Sequence, residues 1–279
     1  MTEPADVIGG TAAADELIAR VSQEVAQFTR ARGITPGLGI VALANDPVQQ
    51  LYVRKKIVQC ERAGIRPLEY PVAPSITTEE LLELVKRLNA DTAVHGIFVQ
   101  WPLPDRVELA AIAVAITPAK DIDGMGSASY APAAALACHR LLGRAISDMT
   151  GLEAVVAGGS DAFRKAITRM LLDEKCRVTP CGRGDELPVI CRRADILIAA
   201  LGEPERIRGG WIKPGATVID VGINAVARYD GGRRYVGDVK FEEAVRVAHA
   251  ITPVPGGVGP MTIACLLEST LAAAKRHTR

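Results

Sequence analysis

The feature that most constrains the fold is a regular alternation of short apolar runs with longer segments whose apolar residues recur at helical spacing. The apolar runs have the length and composition of buried strands, and they are LGIVAL (38–43), GIFVQ (96–100), AVVAG (154–158), DILIAA (195–200) and ATVIDVG (216–222). Helices are predicted between them, for example over 78–89, where Thr77 and Glu80 have capping-box spacing. Strand, helix and strand in this order give right-handed crossovers and a parallel sheet covered by helices. We therefore expect an α/β protein.

The strand runs fall into two series, which predicts two domains. A helical segment at 132–145 separates the series, and a long helix at 260–277 follows the second one. We predict one parallel-sheet domain from residues 1–145 together with 260–279, and a second, Rossmann-like domain from 146–259, with the long helices bridging them. Ligands of open parallel sheets bind at the carboxyl ends of the strands, so these ends are where functional side chains are expected.

Composition excludes several classes of function. The 279 residues are 48% apolar, which is enough for a substantial core, and the net charge of +1 is unlike the basic surface that nucleic-acid binding needs. The first residues, MTEPADVIGG, carry acids where a secretory signal has bases, and no apolar run reaches the ~18 residues of a membrane span. We expect a soluble, cytoplasmic protein without a nucleic-acid or membrane partner.

The cysteines and histidines do not predict a metal site. Six cysteines are scattered without a CxxC pair, and the four histidines do not cluster near them. Zinc sites and disulfide frameworks need closer or regular spacing. We expect small buried thiols and no bound metal.

Polar side chains that could do chemistry follow the strands of the first series. Gln100 ends one strand, and Asp121 and Asp123 lie in the loop PAKDIDG. Tyr52 and Lys56 are four residues apart on a predicted helix and therefore share a face. Apolar neighbours on this helix would lower the pKa of Lys56 into a range useful for proton transfer. Taken alone, Lys56 is better interpreted as a surface lysine, because it lies in the basic run Arg54-Lys55-Lys56 and such runs usually face solvent.

Six segments in this order resemble the signature blocks of the methylenetetrahydrofolate dehydrogenase/methenyltetrahydrofolate cyclohydrolase family. They are LYVRKK, GIFVQWPLP, PAKDIDG, IKPGATVIDVGIN, VGDV and ITPVPGGVGPMT. The resemblance implies two α/β domains flanking a cleft that holds a tetrahydrofolate derivative against the nicotinamide of NADP or NAD. It also implies a homodimer.

The resemblance assigns roles to individual residues of the folate half. It implies that Tyr52 stacks on the aminobenzoyl ring, that Lys56 is the catalytic lysine and that Gln100 assists it. It further implies that Asp123 binds the pterin, whose parallel N–H groups suit a carboxylate. Two residues of the glycine-rich loop, Pro255 and Gly256, would line the folate. The family's usual serine three residues before the tyrosine is Gln49 here, which is expected to change how Lys56 is held.

The dinucleotide half departs from the family pattern. The family's turn G-R-S-x-x-V-G-x-P retains its first glycine and its serine here, as Gly158 and Ser160. The family's arginine that favours a 2′-phosphate is Gly159 here, and its second glycine is Arg164. We expect the Arg164 side chain to intrude on the dinucleotide; the alternative is that Arg164 and Lys165 attract a phosphate by their charge. The family's C-H-S-R-T turn is one residue shorter here, and the loop after Gly124 is also shorter than in the family. Arg183 of this turn is a candidate phosphate ligand, although a solvated turn residue is the better interpretation from the sequence.

Three functions follow from this pattern. The first is the bifunctional enzyme, which oxidises 5,10-methylenetetrahydrofolate with NAD(P)+ and hydrolyses the methenyl product. The second is an NAD(P)-independent cyclohydrolase or a specialised one-carbon folate enzyme. The third is a folate-binding protein without catalysis, although an intact Lys56 argues against it because binding alone would not need this amine.

Overall fold

A computed structural model describes residues 4–184, 186–227 and 232–278. Helices and strands alternate through most of the chain, as the sequence predicts. In the described residues the α-helices are α1 (Gly10–Arg32), α2 (Pro47–Ala63), α3 (Thr78–Ala90), α4 (Leu109–Ala115), α5 (Ala133–Ala145), α6 (Asp161–Asp173), α7 (Leu187–Cys191), α8 (Phe241–Ala244) and α9 (Val258–His277). The strands are β1 (Asp6–Val7), β2 (Gly37–Leu43), β3 (Arg66–Val72), β4 (Gly96–Val99), β5 (Glu153–Gly158), β6 (Arg177–Cys181), β7 (Ile196–Ala200), β8 (Thr217–Asp220), β9 (Asn224–Ala227), β10 (Arg233–Val236) and β11 (Ala250–Ile251).

The first strand series forms a parallel sheet in the order β3-β2-β4. Every residue of the central strand β2 is buried, as a strand covered on both faces requires. Helix α3 begins at a complete capping box, since the Thr77 hydroxyl accepts from the Glu80 N–H and the Glu80 carboxylate accepts from the Thr77 N–H. Leu81, Val85 and Leu88 of this helix pack into the core. This sheet presents the carboxyl ends of β2 and β4 close to α2.

The second series forms a larger parallel sheet, in the order β1-β11-β8-β7-β5-β6 within the described residues. An antiparallel hairpin, β9 and β10, lies outside this sheet. Strand β5 stands between β6 and β7, so the turns that follow these three strands lie at one edge. The expected α/β class with parallel sheets is therefore confirmed.

Contacts divide the chain into two compact units, each made of two segments. One unit contains the described residues of Met1–Ala14 and Ala134–Thr262, and the other contains Asp15–Ala133 and the described part of Ile263–Arg279. The short strand β1 belongs to the first of these units, where it pairs in parallel with β11. We call them the large-sheet unit and the small-sheet unit.

Within the described residues, no helix combines the length and the apolar character needed to cross a membrane. The same residues contain no group of three or more His, Cys, Asp or Glu side chains arranged to hold a metal ion.

Candidate functional site

Lys56 lies on α2, and its side chain is buried within the small-sheet unit. Its side chain is 7% exposed, and Nζ donates a hydrogen bond of 2.8 Å to Oε1 of Gln100. Nζ also lies 4.6 Å from the centre of the Phe98 ring. Burial lowers the pKa of Lys56 to about 8, although the nearby Asp123 opposes this shift. Lys56 is therefore a buried amine that can exchange a proton near neutral pH, and the surface-lysine interpretation is wrong.

Gln100 follows β4 and is held in place from both sides. Its backbone N–H donates to the carbonyl of Val41, and its Nε2 donates to the carbonyl of Trp101 at 2.9 Å. With Nε2 engaged in this way, Oε1 is directed to Lys56. The carboxyl end of the central sheet thus fixes the hydrogen-bond acceptor for the amine.

Gln49, which replaces the family's serine, holds the loop after β4. It is 1% exposed, its Oε1 accepts from the N–H of Leu43 at 3.1 Å, and its Nε2 donates to the carbonyl of Pro102. Both contacts are to the main chain, one at the end of β2 and one beside Gln100. Gln49 therefore links the end of β2 to the loop that follows Gln100.

Asp123 supplies a carboxylate to the same cluster. Its Oδ1 accepts from the N–H of Ala133 at 2.8 Å, and burial raises its pKa to about 6, with Asp121 adding to the shift and Lys56 opposing it. Asp121 has a different role, because its two oxygens accept the N–H groups of Met125, Gly126 and Ser127. Asp121 thus shapes the shortened loop, and Asp123 remains as the carboxylate near the amine.

Tyr52 is half-buried on α2, one turn before Lys56, and the Lys55 ammonium lies 5.6 Å from its ring centre. The structure therefore brings Lys56, Gln100 and Asp123 together in the small-sheet unit and places Tyr52 on the same helix. Pro255 and Gly256 lie in the large-sheet unit, in the loop between β11 and α9. Gly256 has φ +106°, and its carbonyl accepts from the N–H groups of Gly10 and Thr11.

A second group of predicted residues meets at the carboxyl edge of the large sheet. Gly158 ends β5 with φ +82°, and a Cβ at this position would lie 2.4 Å from the carbonyl oxygen of Ala200. Ser160 is the N-cap of α6, where its hydroxyl accepts from the N–H of Phe163. Backbone N–H groups at a helix start next to a tight glycine turn suit a phosphate. The turn after β5 is therefore a candidate phosphate-binding turn.

The Arg164 side chain folds back onto its own helical turn. Its guanidinium donates to the carbonyl of Gly159 and pairs with Asp161. About a third of the side chain is exposed. Its intrusion on a dinucleotide stays a prediction.

Arg183 lies in the turn after β6 and reaches across to the end of β7. Its guanidinium donates to the carbonyl of Leu201, and its Nε lies 3.2 Å from Oε1 of Glu203. Oε2 of Glu203 lies 3.5 Å from Nε of Arg206. These three side chains border a cavity of about 90 Å³. We call Arg183, Glu203 and Arg206 the arginine cluster.

Two buried carboxylates hold the loops at this edge, and sequence reasoning missed them. Asp238 is fully buried and accepts from the N–H groups of Leu201, Gly202 and Glu203 and from Nδ2 of Asn224. Asp220 accepts from the N–H groups of Gly222, Asp238 and Val239, while burial raises its pKa to about 7. The segments IDVGIN and VGDV contain both residues, but only the fold shows that their side chains bind main chain.

Comparison with known proteins gives two family matches that together span most of the chain. Residues 8–123 match the catalytic domain of tetrahydrofolate dehydrogenase/cyclohydrolase, and residues 132–278 match the NAD(P)-binding domain of the same family. A relative named bifunctional protein FolD 2, from Paracoccus denitrificans, is 47% identical over 97% of this chain and 93% of its own length. A bifunctional protein FolD from a Caulobacter species is 47% identical over 98% of this chain and 97% of its own.

Solved structures of two enzymes of this family are similar to this chain over nearly its whole length. The methylenetetrahydrofolate dehydrogenase-cyclohydrolase of Trypanosoma brucei, solved with NADP cofactor and an inhibitor, is 35% identical with a TM-score of 0.93, and the match covers 100% of both chains. The bifunctional FolD enzyme of Campylobacter jejuni is 35% identical with a TM-score of 0.90 over 98% of this chain and 99% of its own.

Proposed function

Because the chain belongs to the tetrahydrofolate dehydrogenase/cyclohydrolase family, we propose that it is a bifunctional one-carbon enzyme. It oxidises 5,10-methylenetetrahydrofolate with NADP+ and then hydrolyses the methenyl product to 10-formyltetrahydrofolate. The observation that carries this proposal is the buried Lys56 amine bonded to Gln100 beside Asp123.

The hydrolytic step requires proton transfers that Lys56 is placed to make. Water adds to the methenyl carbon and loses a proton, and the bond from this carbon to one ring nitrogen breaks as that nitrogen gains a proton. A group with a pKa of about 8 exists in both protonation states near neutral pH and can therefore give and take protons. Gln100 fixes the direction of the amine, and Asp123 offers a carboxylate to the polar edge of the pterin ring. Tyr52, one turn before Lys56 on the same helix, would provide the flat apolar contact for the aminobenzoyl ring.

The large-sheet edge fits a dinucleotide. Gly158 lets the main chain turn where any side chain would collide with Ala200, and Ser160 caps the helix whose N–H groups face this turn. When bound, NADP+ supplies the hydride acceptor for the oxidation. Gly158, Ser160 and Arg183 are the residues we expect to hold its phosphates and ribose.

A cyclohydrolase that needs no dinucleotide is the second candidate. The observation in its favour is Arg164, which places a long side chain in the first turn of α6 where the family has a glycine. Such an enzyme would use Lys56 and Gln100 unchanged.

Two assays separate these candidates. The purified protein is mixed with 5,10-methenyltetrahydrofolate, and loss of methenyl absorbance is compared with the uncatalysed rate. It is then mixed with 5,10-methylenetetrahydrofolate and either NADP+ or NAD+, and formation of the methenyl compound is followed. Activity in both assays supports the bifunctional enzyme, whereas activity in the first alone selects the dinucleotide-independent cyclohydrolase. Folate binding without turnover would contradict both.

We also propose a homodimer in the cytoplasm. The six cysteines are free thiols, as is usual for cytoplasmic proteins. Burial raises the pKa values of Cys60 and Cys191 to about 12, which is typical of unreactive cysteines. Light scattering at several concentrations tests the dimer, and a single species with the mass of one chain would contradict it.

A further inference from the structure

The face of the Phe98 ring lies next to the amine that the proposed hydrolysis uses. Phe98 belongs to β4 and is 8% exposed, and Nζ of Lys56 lies 4.6 Å from its ring centre. Side chains two residues apart along a strand point to the same side, so Phe98 and Gln100 approach the amine together from the end of β4. The sheet therefore presents two partners to Nζ, which are the ring face and the amide oxygen of Gln100 at 2.8 Å.

An aromatic ring face attracts an ammonium group but not a neutral amine. The π-electrons give the face a negative electrostatic potential, and a lysine ammonium within about 6 Å of the ring centre is attracted to it. The attraction is stronger where water is excluded, and Lys56 is 7% exposed. Deprotonation removes the charge and with it the attraction. Phe98 therefore stabilises the acid form of Lys56 relative to its base form.

The contact with Phe98 opposes the effect of burial on Lys56. Burial disfavours an ammonium and is the largest cause of the lowered pKa of Lys56, which is about 8. Two titratable groups also act on Lys56, and they are Asp123 and Cys60. Burial raises the pKa of the Cys60 thiol to about 12, so at neutral pH this thiol carries no charge. Asp123 is then the counter-charge of the amine, and burial raises its own pKa to about 6.

The Phe98 ring can support the ammonium when the carboxylate is engaged elsewhere. Oδ1 of Asp123 accepts from the N–H of Ala133, and in the proposed function Asp123 also binds the polar edge of the pterin. Each donor that the carboxylate accepts takes up part of its negative charge, which reduces what it offers to Lys56. A ring face needs neither an ionised partner nor a hydrogen bond, so its attraction for the ammonium persists with folate on Asp123.

We propose that Phe98 is a positioning residue of the hydrolytic step, whose ring face holds the protonated Lys56 ammonium against Gln100 between two proton transfers. The inference rests on the proposed function, because it assigns a role within that step. Lys56 takes one proton from the water that adds to the methenyl carbon. It gives this proton to the ring nitrogen as the bond from that carbon to the nitrogen breaks, and the second proton of the water leaves to solvent as the formyl C=O forms.

Stepwise fluorination of Phe98 tests the contact with little change in shape. Fluorine withdraws electrons from the ring face, so 4-fluoro-, 3,5-difluoro- and 3,4,5-trifluorophenylalanine, inserted at this one codon, weaken the attraction in that order. The ammonium loses support while the neutral amine does not. The midpoint of the Lys56 titration should therefore move to lower pH with each added fluorine, by about 1 pH unit for the trifluoro ring.

Two measurements follow this titration. Carbon NMR of the full chain with ¹³C at the lysine ε-carbons gives the midpoint of each amine, and the signal missing from Lys56→Met identifies Lys56. The pH profile of methenyl hydrolysis gives the same midpoint during turnover. Phe28 is the matched control, because it is 8% exposed and lies on α1 in the same unit, and its trifluoro form should leave both measurements unchanged. Thermal unfolding checks the folding of each form.

The outcomes separate this inference from the proposed function. An NMR midpoint that stays in place along the fluorinated series, or that moves equally when Phe28 is fluorinated, overturns the role of Phe98. If hydrolysis occurs but its pH profile does not follow the NMR midpoint, the proposed function stands and the positioning role fails. If the NMR midpoint falls as expected but the natural chain does not hydrolyse the methenyl compound, the contact stands and the proposed function fails.

Discussion

Replacing Lys56 by methionine should abolish cyclohydrolase activity and stabilise the fold at neutral pH. The pKa of Lys56 falls from 10.5 to about 8 on folding, which corresponds to roughly 3 kcal/mol of unfavourable free energy for the charged form. Methionine retains the buried chain length without the charge. Because Asp123 loses a neighbouring cation at the same time, we expect a net gain in the free energy of unfolding of about 1–3 kcal/mol at pH 7.

The pH dependence of this gain follows from the sign of the shift. Between pH 8 and 10.5 the unfolded chain holds a proton on Lys56 that the folded chain has released, so the stability of the natural protein rises across this window. The methionine variant lacks this rise. The difference in stability between the two proteins should therefore be largest below pH 8 and disappear near pH 10.5.

Urea unfolding at pH 7, 9 and 10.5 and the methenyl absorbance assay measure the two effects. Loss of a general acid/base group predicts a fall in activity of about 100-fold or more. Lys55→Met is the matched control, since Lys55 is the exposed neighbour on the same helix, and it should change stability and activity little. Unchanged turnover in Lys56→Met, or destabilisation at pH 7, would refute the reasoning about Lys56.

Three other substitutions test the surrounding framework. Gln49→Leu leaves the buried N–H of Leu43 and the partly buried carbonyl of Pro102 without their partner and should cost about 1–3 kcal/mol in urea unfolding, while shifting the pH profile of hydrolysis. An unshifted profile would limit Gln49 to a structural role. Asp238→Asn places a side-chain amide against the N–H donors of Gly202 and Glu203 and should raise the KM for NADP+ more than the KM for the folate. Equal increases in the two KM values would contradict a role of Asp238 in holding this loop. Gly158→Ala forces a Cβ to 2.4 Å from the Ala200 carbonyl oxygen and should lower the free energy of unfolding by about 1–3 kcal/mol. It should also reduce dehydrogenase activity more than cyclohydrolase activity, and equal losses would argue against a dinucleotide at this turn.

Much of the fold was predictable because its main elements carry strong local signals. Helix α3 begins where the Thr77 and Glu80 pattern indicates, and β2 and β5 coincide with the apolar runs to within a residue. The two-residue strands β1 and β11 were missed because so short a segment has no periodicity. The β9 and β10 hairpin was missed because half-exposed strands such as RRYV lack an apolar pattern.

The candidate site was predictable where a side chain acts directly and hidden where it acts on main chain. The four-residue spacing of Tyr52 and Lys56 placed both on one helix, and the strand end placed Gln100 nearby. The carboxylates of Asp220 and Asp238 accept hydrogen bonds from N–H groups of loops distant in sequence, and no sequence pattern predicts such contacts. Arg183 was identified from the sequence, but its ion pair with Glu203 was not, because the two residues lie on different loops.

Each unit is built from two segments that are separated in the sequence, and this has a consequence for synthesis on the ribosome. Residues 15–133 of the small-sheet unit emerge before the whole of Ala134–Thr262, yet this unit is complete only when the final helix follows. At 5–20 residues per second the interval is on the order of 10 s. During that interval the small-sheet unit lacks the part of its packing that α9 contributes, so residues 15–133 complete their unit only after the large-sheet unit has been made.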